Sequence, residues 1–253
     1  MHIFITGASS GIGMALARAY AARGATLGLV ARRGEALTAL LAELGVPGAV
    51  YALDVTDAAA LHDAAHDFCA RFGLPDVVIA NAGVSAGTLT EIEEDLAAFR
   101  RVMDVNVFGM AATFAPFAAR MKARGHGRLV GIASVAGIRG LPGAEAYSAS
   151  KAAAISYLES LRLELREAGV RVVTIAPGYI ETPMTAVNTY RMPFLMPVAD
   201  AADRFVRAIE RGTSYTVIPW PMGIVAKVLR LLPNAVYDRL FARAPRKPRR
   251  LPV

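Results

Sequence analysis

Cysteine is almost missing from this chain of 253 residues, which has Cys69 alone, beside four histidines and a single tryptophan. A lone thiol forms no internal disulfide, and without a Cys/His cluster there is no zinc set to read. Cys69 falls in a helical pattern and reads as a small packed residue. Long hydrophobic runs are missing too. None reaches the roughly 18–20 uninterrupted residues of a spanning helix, because Pro219, Pro221, Lys227 and Arg230 break the most apolar C-terminal stretch. The opening MHIFITG lacks a charged n-region, an apolar h-region and a cleavage site, so a cytoplasmic location is expected. Acidic residues are absent from Arg239 onward, where six basic ones stand. The net charge of +7 therefore belongs almost wholly to a tail. A nucleic-acid surface would be spread over the folded domain and carry a readable motif, and neither is present.

What is there is apolar and regular. At 55% hydrophobic the chain has ample core, and short β-rich runs at 2–5, 26–31, 49–53, 77–80, 128–133, 171–176 and 216–218 alternate with amphipathic segments at 11–23, 34–44, 57–72, 92–122, 146–168 and 199–211. Nearly all-apolar strands alternating with helices predict an α/β fold: one doubly wound Rossmann-type domain with a seven-stranded parallel sheet and helices on both faces. That domain is expected over 1–218, followed by a helical extension with a basic tail over 219–253.

The chemistry-bearing residues fall at strand ends. TGASSGIG, Thr6 to Gly13, follows the first strand and opens the first helix, where glycines let backbone approach a phosphate pair and the helix N-terminus offers unpaired N–H groups. The second strand ends in Ala31 followed by Arg32 and Arg33, with no acid to meet a ribose hydroxyl. Arginine forks suit a 2′-phosphate, so NADP(H) is expected over NAD(H). Tyr147 and Lys151, four apart in YSASK, share a helix face. An ammonium there favours the phenolate and makes Tyr147 a candidate general acid/base. GIASVAG around Ser134 is no nucleophile elbow, and His62 and His66, though four apart, lack further metal ligands.

With Asp54-Val55, Asn81-Ala82-Gly83, Asn106, Ser134 and Pro177-Gly178 added, the chain resembles the short-chain dehydrogenase/reductase family over 1 to about 218. The resemblance implies a catalytic set of Asn106, Ser134, Tyr147 and Lys151 and no metal. It implies a cofactor set of Gly7, Ser9, Ser10, Gly11, Ile12, Gly13, Arg32, Arg33, Asp54, Val55, Asn81, Ala82, Gly83, Tyr147, Lys151, Pro177, Gly178, Ile180 and Thr182. In that family Asp54 would hold the adenine edge and Thr182 the nicotinamide carboxamide. Ser134 would bond the substrate oxygen, Lys151 would lower the Tyr147 pKa and hold the ribose, and Asn106 would anchor a proton-supplying water. Two positions depart from the pattern: Ser10 stands where some NADP-dependent members carry a basic residue, and Ala80 precedes Asn81 where Asn is common. The alternative function is a non-catalytic dinucleotide-responsive binding or regulatory protein.

Residues 184–197 hold Met184, Tyr190, Met192, Phe194, Leu195 and Met196, an adaptable apolar lid that suggests a hydrophobic carbonyl or alcohol substrate. Beyond it, 221–243 reads as two short helices divided by Pro233. Their expected stripes are Met222, Val225, Leu229 and Leu232, then Val236 and Leu240 with the flanking Tyr237 and Phe241. With its arginines, 221–253 could touch a membrane surface, cover the pocket or meet a second subunit in a homodimer or homotetramer.

Overall fold

A computed structural model describes residues 1–244 and 246–249. Its seven strands form one parallel sheet. In chain order they are β1 (His2–Thr6), β2 (Thr26–Ala31), β3 (Gly48–Ala52), β4 (Val77–Ala80), β5 (Gly127–Ile132), β6 (Val170–Pro177) and β7 (Tyr215–Ile218). In space they run β3-β2-β1-β4-β5-β6-β7, so the order reverses between β1 and β4.

Alternation along β1 explains the two cores. Ile3 and Ile5 point to one face, where α1 (Gly11–Ala21), α2 (Gly34–Leu44) and α8 (Val198–Arg211) bring Leu16, Tyr20, Leu37 and Phe205. Phe4 points to the other, where α3 (Ala58–Phe72), α5 (Gly109–Arg124) and α6 (Glu145–Leu165) bring Phe68, Phe114, Phe117 and Leu158. Burying each such side chain stabilises the fold by about 1.5–3 kcal/mol. Both faces being covered is why the strands read as unbroken apolar runs.

The segment expected as one helix over 92–122 differs. It is α4 (Asp95–Met103), a π-helical turn over Asp104–Phe108, and then α5. A buried amide, Asn106, sits in that turn and is held by the backbone of Val84. The wider turn interrupts the α pattern at this point, as π-bulges commonly do at functional positions. The run Asp95–Arg124 is long and apolar enough to cross a membrane by length and composition. Here α4 packs on α6 and α5 on α3 and β4.

After β6 the chain makes α7 (Pro183–Ala186), returns so that Ile180 bridges to Met196, and enters α8. The last strand is followed by α9 (Trp220–Leu231) and α10 (Asn234–Phe241), divided at Pro233 as the sequence predicts. The stripes differ in part. Met222 and Tyr237 are buried, with Ala226 beside Met222, but Val225, Val236 and Leu240 are exposed, and Trp220, Ile224, Val228 and Leu231 face outward. Gly178 and Val217 sit against Met222 and Gly223, which sets the rotation of α9. Of the expected basic tail, Arg246 to Arg249 lies back on the domain, and Arg250 and 251–253 fall outside the described residues.

Candidate active site

The candidate residues gather at the carboxyl ends of the strands, in the crevice where the strand order reverses. Ser10 caps α1 in an extended conformation without a side-chain capping bond, so the first-turn N–H groups of α1 face outward with no side-chain partner. Gly7 has φ +68, and a Cβ there would lie 2.7 Å from the Ala82 Cα. A Cβ on Gly13 would collide with the Gly7 carbonyl. The turn is thus pressed flat on β4's loop, leaving its outer side to a ligand. Ile12 is half-buried behind it, and a Cβ on Gly11 would lie 3.3 Å from the Thr182 methyl.

Asn81 stitches β4 to β1. Its amide Nδ2 donates to the carbonyls of Thr6 (3.0 Å) and Gly7 (3.1 Å), while the buried Thr6 hydroxyl accepts from the N–H groups of Asn81 and Ala82. Gly83 lies against Asn106 Oδ1 and 3.6 Å from Lys151 Nζ by its missing Cβ.

At the end of β2, Arg33 reaches across the turn and donates to both the carbonyl and the hydroxyl of Ser9, each at 3.1 Å. Arg32 beside it is exposed. The Arg33 guanidinium therefore borders the phosphate turn, with Arg32 next to it in the chain. Asp54 is engaged inside the protein: Oδ1 accepts from the Thr56 N–H and hydroxyl, and Oδ2 pairs with Arg101. Burial pushes this carboxyl up, but the Arg101 and Thr56 hydrogen bonds outweigh it and hold it at about 2. Val55 is buried next to it under Gly109. Open N–H groups, a glycine cradle and flanking arginines fit a dinucleotide phosphate pair.

The reacting end lies across the crevice. Ser134 opens the 3₁₀ turn over Val135–Gly137 and accepts from the Ala136 N–H at 3.1 Å. Tyr147 stands opposite on α6; burial pushes its phenol up, and the hydrogen bond with Ser134 pulls it down. Lys151, 4% exposed, donates to the Ile132 carbonyl at 2.8 Å, and its Nζ is 5.9 Å from the Tyr147 ring centre. Burial lowers its pKa to about 8. One of the three Lys151 ammonium donors is thus tied to β5, and the other two remain beside the Tyr147 ring. Asn106 donates to Val84 O and to Ser150 Oγ, both at 2.9 Å, and Ser150 in turn donates to the Tyr147 carbonyl. Its side chain braces α6, so any contact with a proton-supplying water would fall to its backbone.

Pro177 ends β6, and the Gly178 N–H donates to Ile218 O. Ile180 is buried at the foot of the lid, and Thr182 caps α7 with Thr185 in a reciprocal pair. In the lid Tyr190 meets Tyr179 edge to face at 6.3 Å, and burial with the nearby Tyr179 and Tyr147 pushes its phenol up to about 12. Of the apolar lid residues, Phe194 and Leu195 point outward. Sequence reasoning missed Tyr179, Ser85 and Lys247. Tyr179 sits beside the Pro-Gly motif and was readable there; Lys247 lies a hundred residues from Tyr147, and no local pattern connects them.

A match to the family described as short chain dehydrogenase covers residues 1–192. An uncharacterized oxidoreductase of Myxococcus xanthus is 40% identical over 237 residues, 92% of this chain and 93% of that protein. A 2-dehydro-3-deoxy-L-rhamnonate dehydrogenase (NAD(+)) of a Sphingomonas strain is 39% identical over 180 residues, 71% of this chain and 72% of its own. Among solved structures, a short-chain dehydrogenase from Sphingobium yanoikuyae in complex with NADPH superposes with a TM-score of 0.79 at 27% identity, over 96% of each chain.

Proposed function

Because the chain belongs to the short-chain dehydrogenases/reductases, oxidoreductases that bind a nicotinamide dinucleotide, we propose that it is an NADP(H)-dependent enzyme of a carbonyl/alcohol pair with Tyr147 as general acid/base. The observation that carries this is the packing of the Ser134 turn on α6 at Lys151, whose Nζ lies 5.9 Å from the Tyr147 ring centre, at the strand ends that also carry the glycine turn. Residues 1–218 form the catalytic unit in this reading, and 219–253 is its extension.

Bound in the crevice, the cofactor supplies or accepts the hydride at the substrate carbon. The chain supplies the rest. Ser134 holds the substrate oxygen, and the Tyr147 hydroxyl gives that oxygen its proton in reduction or takes it back in oxidation, which avoids an uphill alkoxide. A buried cation at Lys151 favours the phenolate that remains. The turn residues Gly7, Ser9, Ser10, Gly11, Ile12 and Gly13 hold the phosphates, and Asp54, Val55, Asn81, Ala82 and Gly83 line the adenosine side. Pro177, Gly178, Ile180 and Thr182 border the nicotinamide.

NADP(H) is favoured by Arg33 lying over Ser9 with Arg32 alongside, and by the NADPH complex of the Sphingobium neighbour. The named NAD(+) specificity of the Sphingomonas relative marks the other option. The half-buried Met184, Tyr190 and Met192 support a substrate with an apolar body. Cys69, buried and unpaired, suits a reducing compartment, and cytoplasmic residence is part of the reading. As partner we favour a second copy of the chain, in a dimer or tetramer, meeting the outward row of α9; peripheral membrane contact through 221–253 is the competing use of that face.

The test is NADPH oxidation across a carbonyl panel. Wild type should reduce apolar ketones or aldehydes, and Tyr147→Phe should lose roughly 10²–10⁴-fold in kcat while still binding NADPH. A Phe variant that turns over as well as wild type ends the general-acid reading.

A further inference from the structure

The chain returns to the catalytic face at its C-terminal end. Arg139, at the turn after β5, donates to the carbonyls of Leu229, Arg230 and Leu232 and stacks 3.9 Å over the Tyr237 ring. Tyr237 donates to the Gly140 carbonyl at 2.6 Å. These contacts fix α9 and α10 against the loop that leads into Tyr147. The tail is then anchored twice more. The Gly87 N–H donates to Pro248 O at 2.8 Å, where any Cβ on residue 87 would collide with the Lys247 carbonyl. The Arg249 guanidinium grips the Asp95 carboxylate with two donors, at 2.9 and 3.0 Å.

Between these anchors Lys247 points inward. Its Nζ donates to the hydroxyl of Ser85, itself 2% exposed, at 2.7 Å, and lies 5.3 Å from the Tyr147 ring centre. Lys151 approaches the same ring from α6 at 5.9 Å, so two ammonium groups border the phenol. Only one of the three Lys247 donors has a partner among the described residues. No described carboxylate pairs with it: Asp95 is taken by Arg249, and Glu145 accepts from Thr90. A desolvated ammonium without a counter-ion is costly. Burial alone depresses its pKa to about 8, which still leaves it charged near neutrality.

We propose that residues 246–249 wall the substrate pocket and that Lys247 is a subsite for an anionic group, a carboxylate, carried by the carbonyl substrate. This rests on the carbonyl reading above and sharpens it to an oxo acid or hydroxy acid with an apolar body. Ser85 would orient the ammonium, and Tyr147 would act on the carbonyl while the carboxylate is held at the tail. Lys247 does no chemistry in this scheme; it selects and places the substrate.

The experiment uses the full chain with NADPH and two oxo acids, 4-oxocyclohexanecarboxylate and 4-oxopentanoate, each beside its neutral amide. Wild type should favour acid over amide in kcat/KM by about tenfold or more, mainly through KM. Lys247→Met should bring that ratio near one, and Lys247→Arg should keep most of it. An acid-to-amide ratio that is the same in wild type and Lys247→Met overturns the subsite. So does a chain truncated after residue 244 that gains activity equally on acid and amide, since the tail would then be a plug. Calorimetric binding of the same oxo acids separates this inference from the redox reading. Binding that Lys247→Met loses and Lys247→Arg keeps, with no turnover, upholds the subsite and counts against carbonyl reduction; binding indifferent to Lys247 overturns the subsite whatever the turnover.

Discussion

At the residue scale, the site is a set of groups whose ionisation is set by burial more than by each other. Burial lowers the Lys151 pKa from its ordinary 10.5 to about 8 in the folded chain. Between those values the unfolded chain binds more protons, so stability rises with pH through this window. Lys247 acts in the same direction. Unfolding free energies from urea melts at pH 8 to 10 should climb in wild type, by on the order of 2 kcal/mol for Lys151, and climb less in Lys151→Met; parallel curves would show that the ammonium is not desolvated. Arg32 and Arg33 lie at the other end of the crevice, and their test is selectivity. Arg32→Ala should weaken NADPH binding about tenfold or more and NADH binding by roughly twofold at most, read by fluorescence titration. Equal losses would place the arginine outside phosphate recognition.

At the element scale, the reacting residues depend on how closely two short pieces of backbone touch. The 3₁₀ turn carrying Ser134 rests on α6 at Lys151, where a Cβ on Gly137 would stand 2.5 Å from the Lys151 carbonyl carbon. Gly137→Ala must push the turn off the helix. It should cost about 1–3 kcal/mol in thermal unfolding and more than tenfold in kcat, because Ser134 and Tyr147 move apart. Unchanged turnover with a lowered Tm would mean that the Ser134–Tyr147 distance is not the controlling one. The π turn at Asn106 acts similarly, since its amide ties Val84, Ser150 and so α6 together.

At the scale of the whole molecule, the extension after β7 has two sides. One side reaches the catalytic face through Arg139, Tyr237 and the tail. The other leaves Trp220, Ile224, Val228 and Leu231 outward, with Leu231 83% and Trp220 66% exposed. Such a row on one helix face is costly in water. If a second copy covers it, Val228→Glu with Leu231→Glu should shift sedimentation toward a smaller species while the monomer fold, by circular dichroism, persists. Unchanged sedimentation together with loss of liposome cosedimentation would assign the face to a membrane instead.

The strand runs, the glycine turn, Arg32-Arg33, Ser134 and YSASK were legible in the sequence because each is local. Alternating periodicity, a turn after a strand and a four-residue helical spacing are read within a dozen residues. The outward row of α9 was not picked out in the sequence because four apolar residues on each of two faces give one helix no preferred side until Gly178 and Val217 choose it. The anchoring of Lys151 to β5, the bracing role of Asn106 and the internal pairing of Asp54 with Arg101 also needed the fold, since their partners lie 19 to 47 residues away. The arrival of Lys247 beside Tyr147 is the clearest case. Sequence composition showed only a basic tail; anchoring by Arg139, Gly87 and Asp95 turned one of its charges inward. Local chemistry thus followed from the order of residues, and the assembly of distant groups around one phenol was decided by tertiary packing, because only a closed fold brings residues a hundred apart within bonding reach.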